Sequence, residues 1–216
     1  MILYQGLTML DVFGPLEALQ QLSYVHKLNL YLISDNLDTV TSEVPATENP
    51  LHSHFFTNLK PTHTFATVPS DLEVLMIPGG AGPVGGLRAL NSTVDFIRTT
   101  YPKLRYLITI CVGSGLAAQA GVLDGKRATT HKGAWSTIVP LGPNVTWVHK
   151  ARWVEDGNIW TSSGVSAGID VTFAFIQKIY GAENATAVAN GIEYDRHMDP
   201  DWDPFSDIFP ISNSTS

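Results

Sequence analysis

Cys111 is the only cysteine among the 216 residues, and its surroundings favour a nucleophile. An apolar run over 107–110 ends at this residue and predicts a buried strand, whereas the small residues over 112–120 predict a helix. A side chain at a strand-to-helix turn projects from the backbone and lies near N–H groups that stabilise an anion. Gly113 suits a turn that is too crowded for side chains. The alternative is an inert buried thiol, but the turn favours a nucleophile.

A nucleophilic thiol needs a base or an environment that lowers its pKa, and two carboxylates follow the predicted first strand. Asp11 is flanked by apolar residues, a setting in which a carboxylate is costly unless it has a partner or a role. Glu17 lies in a helix predicted to begin at Gly14-Pro15, where a first-turn acid complements the helix dipole. We therefore favour Asp11 over Glu17 as the partner of Cys111.

Histidines and backbone amides are further candidates for the site. His131 ends a predicted short strand and is the histidine best placed to approach Cys111, although a structural role is an equally good interpretation. The other histidines lack the spacing of a metal site with Cys111, so we expect neither a metal nor a cofactor. The amides of Gly80 and Val112 can stabilise negative charge on a substrate, although Gly79-Gly80 also suits a simple tight connection.

The elements that must position these residues alternate along the chain. Apolar runs predict strands over 1–4, 28–34, 73–77, 104–110 and 127–131, and a β-hairpin over 146–155 and 158–163 around Asp156-Gly157. Helical spacing predicts helices over 7–22, 84–100, 112–120, 165–180 and 182–196. Residues 35–70 suit short edge strands and loops, and about 198–216 suit an extended tail. We predict one α/β domain over 1–216, with a doubly wound, mostly parallel sheet flanked by helices.

Composition excludes several classes of function. The net charge is −7 and basic residues never exceed two in a row, which argues against a nucleic-acid partner. No apolar run approaches the roughly 20 residues of a membrane-spanning helix, and the N-terminus lacks the layout of a secretory signal. One cysteine excludes an internal disulfide framework. We expect a cytoplasmic protein and attribute the four Asn-X-Ser/Thr sequons to chance.

The motifs together resemble the ThiJ/PfpI superfamily, which has the class I glutamine amidotransferase-like, flavodoxin-like fold. The matching stretches occur in the family's order, at residues 10–17, 77–80, 109–131 and 164–170. The pattern is most similar to isonitrile hydratases and to the related ligand-sensing domains of AraC-type regulators. The sequence has Asp11 upstream of Gly14-Pro15, where the deglycase and glyoxalase branches carry Glu.

The resemblance implies a cofactor-independent lyase that adds water to R–N≡C to give an N-substituted formamide. Cys111 would attack the terminal carbon, Asp11 would deliver a proton and then activate water, and the amides of Gly80 and Val112 would steady the charge. Two positions depart from the subgroup: Val112 replaces a Thr, and Lys132 replaces a common Trp. The alternatives are a glyoxalase- or deglycase-like enzyme acting on methylglyoxal, and a non-enzymatic redox or metabolite sensor.

The resemblance also implies a homodimer formed through the helix after the first strand. We therefore expect a small-molecule substrate and a second copy of the chain as partners, with no nucleic acid and no membrane. Three tryptophans, Trp135, Trp153 and Trp160, are candidates for aromatic walls around a ligand, although core packing is the better explanation for each of them individually.

Overall fold

A computed structural model describes residues 1–82 and 90–211 of the chain. Its regular elements alternate between strands and helices, as the α/β prediction requires. The strands are β1 (Ile33–Ser34), β2 (Val40–Thr41), β3 (Asn58–Leu59), β4 (His63–Thr64), β5 (Val74–Ile77), β6 (Tyr106–Thr109), β7 (Arg127–Ala128), β8 (Thr146–Trp147), β9 (Trp153–Asp156) and β10 (Ile159–Ser162). The helices are α1 (Met9–Ser23), α2 (Asn91–Thr100), α3 (Gly113–Gln119), α4 (Trp135–Ile138), α5 (Ala167–Tyr180), α6 (Ala182–Gly191) and α7 (Phe205–Ile208).

The central sheet contains four strands in the order β5-β6-β10-β9. The first three are parallel, and β9 joins the edge as the antiparallel arm of a hairpin. Leu107 in β6 aligns with Leu75 on one side and with Ile159 on the other, and all three side chains are buried. Strands in such a sheet are apolar because helices cover both faces. The predicted mostly parallel sheet is confirmed. The predicted hairpin is confirmed with a shorter first arm, because only 153–156 pair with β10 and Thr146–Trp147 pair with β7.

The first residues of the chain extend this sheet beyond β5. The N–H of Ile2 donates to the carbonyl oxygen of Met76 at 2.9 Å, and the N–H of Leu3 donates to that of Ile33 at 2.7 Å. The segment therefore lies between β5 and β1, with β4 beyond β1. We count the N-terminal segment as the first strand, β1 as the second, and β5, β6 and β10 as the third, fourth and fifth. Their order across the sheet is then 2-1-3-4-5, which is that of a flavodoxin-like sheet. Ligands bind such sheets where the order reverses, between the first segment and β5.

Helices α1, α5 and α6 pack against one another beside the sheet. Leu22 from α1 and Phe173 from α5 are fully buried in their shared cluster, so this contact removes large apolar surfaces from water. The complete cluster consists of Ala18, Leu22, Phe173, Ile176, Ala185, Val188 and Ala189. This packing holds the first turns of α1 and α5 in fixed positions at the end of the sheet.

Helix α1 begins earlier than the Gly14-Pro15 pair predicted. It starts at Met9, and Pro15 lies buried inside it. A proline in a helix has no N–H to donate to the carbonyl four residues earlier, here that of Asp11, so one helical hydrogen bond is missing. The earlier start places Asp11, rather than Glu17, in the first turn of the helix.

Several predicted elements are shorter in the structure. The strand predicted over 28–34 is reduced to β1, because Leu30 faces solvent and the N–H of Leu32 bonds to the Thr62 hydroxyl at 2.9 Å. The strand predicted over 127–131 ends at Ala128, and β8 pairs with it in a small separate sheet. The helix predicted over 182–196 ends at Gly191. In the helix predicted over 84–100, α2 covers 91–100, and 84–89 lie outside the described residues.

The segment after Met198 docks on the protein body, in contrast to the predicted extended tail. The Pro200 carbonyl accepts a hydrogen bond from the N–H of Arg152 at 2.7 Å, and the short helix α7 follows. The buried Asp203 lies 3.0 Å from the ammonium of Lys132. A buried ion pair explains why a polar segment packs against the body, since each charge needs the other as a partner. Residues 212–216 of the predicted tail lie outside the described residues.

Candidate active site

Cys111 occupies the sharp turn that joins β6 to α3. Its φ of 57° is in the left-handed region, an uncommon conformation for a non-glycine residue and one that often occurs at functional sites. The N–H of Cys111 donates to the carbonyl of Ser163 at 3.1 Å, and the Thr130 hydroxyl donates to the carbonyl of Cys111 at the same distance. A Cβ atom on Gly113 would lie 2.4 Å from the carbonyl oxygen of Ile77, which confirms the predicted crowding of this turn.

Asp11 reaches the same point from the first turn of α1. Its side chain is fully buried, and Oδ2 accepts the N–H of Gly79 at 2.8 Å. Gly79 follows β5, so the bond ties the helix to the end of the central sheet. A Cβ atom on Gly79 would lie 2.8 Å from Asp11 Oδ2 and 2.9 Å from Cys111 Cβ. Only glycine therefore allows the acid, the thiol and this backbone to approach so closely.

The Cys111 thiol has three hydrogen-bonding partners in the part of the chain that the structure describes. It bonds to the Asp11 carboxyl, and its sulfur is approached by the backbone N–H groups of Val112 and Val165. Burial raises the thiol pKa well above its usual value, and the neighbouring Asp11 charge raises it further. The two N–H groups act in the opposite direction because they favour the thiolate. The resting thiol is therefore protonated and already bonded to an acid.

Asp11 has an unusual pKa for a carboxyl. Burial raises it from 3.8 to about 7, against the opposing effects of the Gly79 N–H and the Cys111 thiol. Across residues 1–82 and 90–211, Oδ1 has no hydrogen-bond partner and no basic side chain forms an ion pair with the carboxylate. A group with this pKa exchanges protons readily near neutrality, as an acid–base catalyst must.

Comparisons with known proteins identify the family of this chain. The model of the DJ-1/PfpI family matches residues 1–178. The chain belongs to the DJ-1/PfpI family. The isonitrile hydratase of Pseudomonas putida is 36% identical over 193 residues, which cover 89% of this chain and 76% of the hydratase. A deglycase of Pyrococcus horikoshii is 33% identical over 101 residues, which cover 47% of this chain and 58% of the deglycase.

A solved structure supports the same family and fold. The crystal structure of a ThiJ/PfpI family protein from Pseudomonas syringae aligns with a TM-score of 0.76 at 28% identity. The alignment covers 94% of this chain and 76% of that one. The family and the flavodoxin-like α/β fold predicted from the sequence are therefore confirmed.

The remaining predicted residues of this family member divide into those near the thiol and those elsewhere. The N–H of Val112 lies beside the Cys111 sulfur. Donation from the amides of Gly80 and Val112 to a substrate stays a prediction. The Nδ1 atom of His131 accepts the N–H of Ala134 at 3.2 Å, so it caps a short helix. Burial lowers the pKa of His131. The charge of Lys132 lowers it further, whereas the charge of Asp203 raises it. Glu17 is exposed and accepts a bond from its neighbour on the next helical turn.

Sequence reasoning missed two features around Cys111. The first is the N–H of Val165, which precedes α5 and approaches the sulfur from the far side of the sheet end. The second is Lys132, whose buried ammonium lies 2.9–3.1 Å from oxygens of Thr129, Thr130, Ala151 and Ser163. Two of those residues, Thr130 and Ser163, also bond to the backbone of Cys111. The replacement of a common Trp by Lys132, directly after His131, was the available signal.

Two further kinds of feature are absent from residues 1–82 and 90–211. No cluster of three or more His, Cys, Asp and Glu side chains in these ranges has an arrangement suited to a metal ion. None of the helices described there combines the length and the apolar character that crossing a bilayer requires.

Proposed function

We propose that this protein is an isonitrile hydratase-like lyase that adds water to R–N≡C and releases an N-substituted formamide. The observation that carries the proposal is the close approach of the Cys111 thiol and the buried Asp11 carboxyl beside Gly79, with no basic partner for Asp11 within residues 1–82 and 90–211. The 36% identity to the Pseudomonas putida hydratase, over 89% of the chain, supports the same activity. The site supplies a nucleophile and one acid–base group, which is what this hydration needs.

The first half of the reaction forms a carbon–sulfur bond. Asp11 takes the proton of the Cys111 thiol while the sulfur attacks the terminal carbon of the isonitrile. Asp11 then returns that proton to the same carbon, which gives a thioimidate, R–N=CH–S–Cys111. The N–H groups of Val112 and Val165 stabilise negative charge on the sulfur as the proton leaves. We keep the predicted Gly80 amide as a donor to the substrate.

The second half releases the product and restores the thiol. Asp11 accepts a proton from water as the water oxygen attacks the thioimidate carbon. Asp11 passes this proton to the nitrogen, which gives R–NH–CH(OH)–S–Cys111. The carbon–sulfur bond then breaks as Asp11 moves the hydroxyl proton to the sulfur, so that R–NH–CHO leaves and Cys111 is a thiol again. A single carboxyl accepts and donates protons in both halves, and a pKa of about 7 suits both roles.

A panel of alkyl and aryl isonitriles, with formamide measured by mass spectrometry, tests this activity. We expect turnover by the wild-type protein and its abolition in Cys111→Ala. Asp11→Asn keeps the shape but not the proton transfer, so it should lower kcat by about 10²–10⁴-fold. Glu17→Gln is the matched control, because Glu17 is an exposed acid on the same helix. Formamide production by Cys111→Ala at the wild-type rate would sink the proposal.

A deglycase-like enzyme acting on methylglyoxal is the second candidate, because the Pyrococcus horikoshii deglycase is 33% identical over 47% of this chain. The residue types weigh against it. The deglycase branches carry Glu where this chain has Asp11, and His131 is engaged with Ala134. A colorimetric assay for methylglyoxal consumption, run on the same samples as the isonitrile panel, separates the two activities.

The burial and the raised pKa of the Cys111 thiol do not suit a non-enzymatic redox sensor. Redox-sensor cysteines are accessible thiolates with a low pKa, whereas Cys111 is 5% exposed and burial raises its pKa. We expect no adduct on Cys111 in the intact mass after mild peroxide treatment. Reversible oxidation of Cys111 together with an absence of turnover would favour the sensor.

We also propose that the protein forms a homodimer through α1. Leu10 and Phe13 are 44% and 45% exposed on this helix, which is unusual for large apolar side chains close to a site. Burial of both in a second copy explains the exposure and leaves Asp11 on the inner face. Light scattering should show a dimer for the wild-type protein and a monomer for Phe13→Glu.

A further inference from the structure

The buried ammonium of Lys132 lies behind the Cys111 turn, and the reaction proposed above does not use it. Its side chain is 1% exposed, and it pairs with the buried carboxylate of Asp203 at 3.0 Å. Four further oxygens lie 2.9–3.1 Å from Nζ, in Thr129, Thr130, Ala151 and Ser163. A buried charge is costly unless it is paired and hydrogen-bonded, and this one is both. The residues that the ammonium joins therefore indicate its role.

The backbone of Cys111 needs support from its neighbours. Its φ of 57° is a sparsely populated conformation for a side-chain-bearing residue, and such a conformation persists where surrounding contacts over-determine it. The N–H of Cys111 donates to the Ser163 carbonyl at 3.1 Å. The Cys111 carbonyl accepts the hydroxyls of Thr130 at 3.1 Å and of Ser114 at 3.2 Å. Ser114 belongs to α3, which begins at this turn, whereas Thr130 and Ser163 hold the turn from two other segments.

Lys132 joins these two outer supports. Its Nζ atom donates to the Thr130 carbonyl at 3.1 Å and to the Ser163 hydroxyl at 3.0 Å. Each of the two residues therefore holds Cys111 with one polar group and Lys132 with another. Thr130 follows β7 and Ser163 follows β10, so the ammonium links separate segments. Burial lowers the pKa of Lys132, whereas the charges of Asp203 and of the Cys111 thiolate raise it, which places the lysine within electrostatic reach of the sulfur.

We propose that Lys132 is a positioning residue for Cys111, which by joining Thr130 to Ser163 holds the turn with the sulfur beside the Asp11 carboxyl. It acts through the backbone of Cys111 rather than on the reacting atoms. Its service to catalysis rests on the function proposed above, whereas its hold on the turn does not. Asp203 neutralises the ammonium and anchors the segment after α6.

The competing explanation is that Lys132 only anchors the segment after α6, and a set of variants separates the two roles. Lys132→Met removes the ion pair together with the bonds to Thr130 and Ser163. Asp203→Asn removes the ion pair alone, and it keeps the oxygen that accepts the N–H of Phe205 at 3.1 Å. The double variant Lys132→Met/Asp203→Asn leaves no buried charge unpaired, so it should fold even where Lys132→Met alone does not.

Hydrogen exchange at the Cys111 amide measures the turn directly. Cys111 is the only cysteine, so ¹⁵N-cysteine labelling of the full chain gives a single backbone amide signal in a nuclear magnetic resonance spectrum. We expect exchange about tenfold faster in Lys132→Met and in the double variant, because the bond from Cys111 to Ser163 opens more often. Asp203→Asn should stay within about threefold of the wild-type rate. This measurement gives its answer whether or not the protein hydrates isonitriles.

Steady-state kinetics test the service to catalysis. The substrate is the isonitrile of the panel above that the wild-type protein converts fastest. A misplaced sulfur slows the chemical step more than substrate binding, so kcat should fall by about 10²-fold in the double variant while KM changes by less than about threefold. Asp203→Asn should lower kcat by no more than about threefold. If no protein in the set produces formamide, the proposed function fails, and the exchange rates still decide whether Lys132 holds the turn.

Three results would overturn the positioning role. The first is an equal acceleration of Cys111 amide exchange in Lys132→Met and Asp203→Asn, because the lysine would then act only through the ion pair. The second is exchange at the wild-type rate in the double variant while circular dichroism shows a folded protein. The third is a double variant with wild-type kcat in a protein that does hydrate isonitriles.

Discussion

Asp11 and Asp170 are two buried aspartates in the first turns of two helices that pack side by side, yet their surroundings differ. Asp170 bonds to the Arg152 guanidinium at 2.7 Å, the Tyr194 hydroxyl at 2.9 Å and the N–H of His197 at 3.0 Å. Asp11 has the N–H of Gly79 and the Cys111 thiol. Within residues 1–82 and 90–211, Asp170 has a cation and two further donors, whereas Asp11 has no basic partner.

The difference shows what a buried carboxylate needs in each role. A structural carboxylate stays charged and holds elements together, and that requires a cation and enough donors. Asp170 links α5 to β9 through Arg152 and to the segment after α6 through Tyr194 and His197. A carboxyl that transfers protons must instead gain and lose one near neutrality, so a nearby cation would hold its pKa too low. Both aspartates are buried, but within the described residues only the burial of Asp170 is offset by an ion pair.

Removal of the cation beside Asp170 tests the comparison most strongly. Arg152→Met leaves an unpaired buried carboxylate, so we expect the free energy of unfolding to fall by about 3–5 kcal/mol in urea titrations followed by circular dichroism. Arg105→Met is the control, because Arg105 and Glu73 form an exposed, solvent-screened ion pair whose loss should leave the free energy of unfolding nearly unchanged. Equal losses in the two variants would contradict a structural role for Arg152.

Asp11→Asn should change the free energy of unfolding in the opposite direction to Arg152→Met, and the size of the change should depend on pH. The folded protein keeps a proton on Asp11 up to about pH 7, whereas the unfolded chain loses it near pH 4. The wild-type protein therefore loses stability as the pH rises through this window, and the Asn variant does not. We expect the stability of the variant relative to wild type to increase by about 2–4 kcal/mol between about pH 4 and pH 8.

Urea titrations at several pH values measure this shift. Asp170→Asn is the matched control, because it removes a paired carboxylate and should destabilise the protein at every pH in the window. Parallel stability curves for Asp11→Asn and the wild-type protein would show that Asp11 keeps an ordinary pKa, and the comparison would then fail.

A smaller effect is expected from Tyr194→Phe, which removes one of the donors to Asp170. A hydrogen bond to a charged group contributes about 1.5–3 kcal/mol, so the free energy of unfolding should fall by that amount. Tyr101→Phe provides the reference, since its hydroxyl bonds at 3.0 Å to the neutral amide of Asn158. That variant should lose only about 0.5–1.5 kcal/mol. A larger loss in Tyr101→Phe would show that Asp170 does not depend on Tyr194.

Much of the site was predictable because its residues belong to local patterns. The apolar strand followed by Cys111, Val112 and Gly113 identified the turn, and the crowding at Gly113 follows from that turn alone. Asp11 was chosen over Glu17 because its sequence neighbours are apolar. In the structure Asp11 is fully buried, whereas Glu17 is exposed. The helix start at Gly14-Pro15 was wrong because packing of α1 against α5 and α6 overrides the local preference of proline for a first turn.

The sequence by itself determined the order of strands and helices, the doubly wound class of the sheet and the residue types at its strand ends. These properties depend on hydrophobic periodicity and on glycine, which act over a few neighbouring residues. Only the tertiary structure decided which charges meet, because Arg152 with Asp170 and Lys132 with Asp203 are pairs that no local pattern links. The raised pKa of Asp11 is likewise a tertiary property, because it comes mainly from burial among elements that are distant in the sequence.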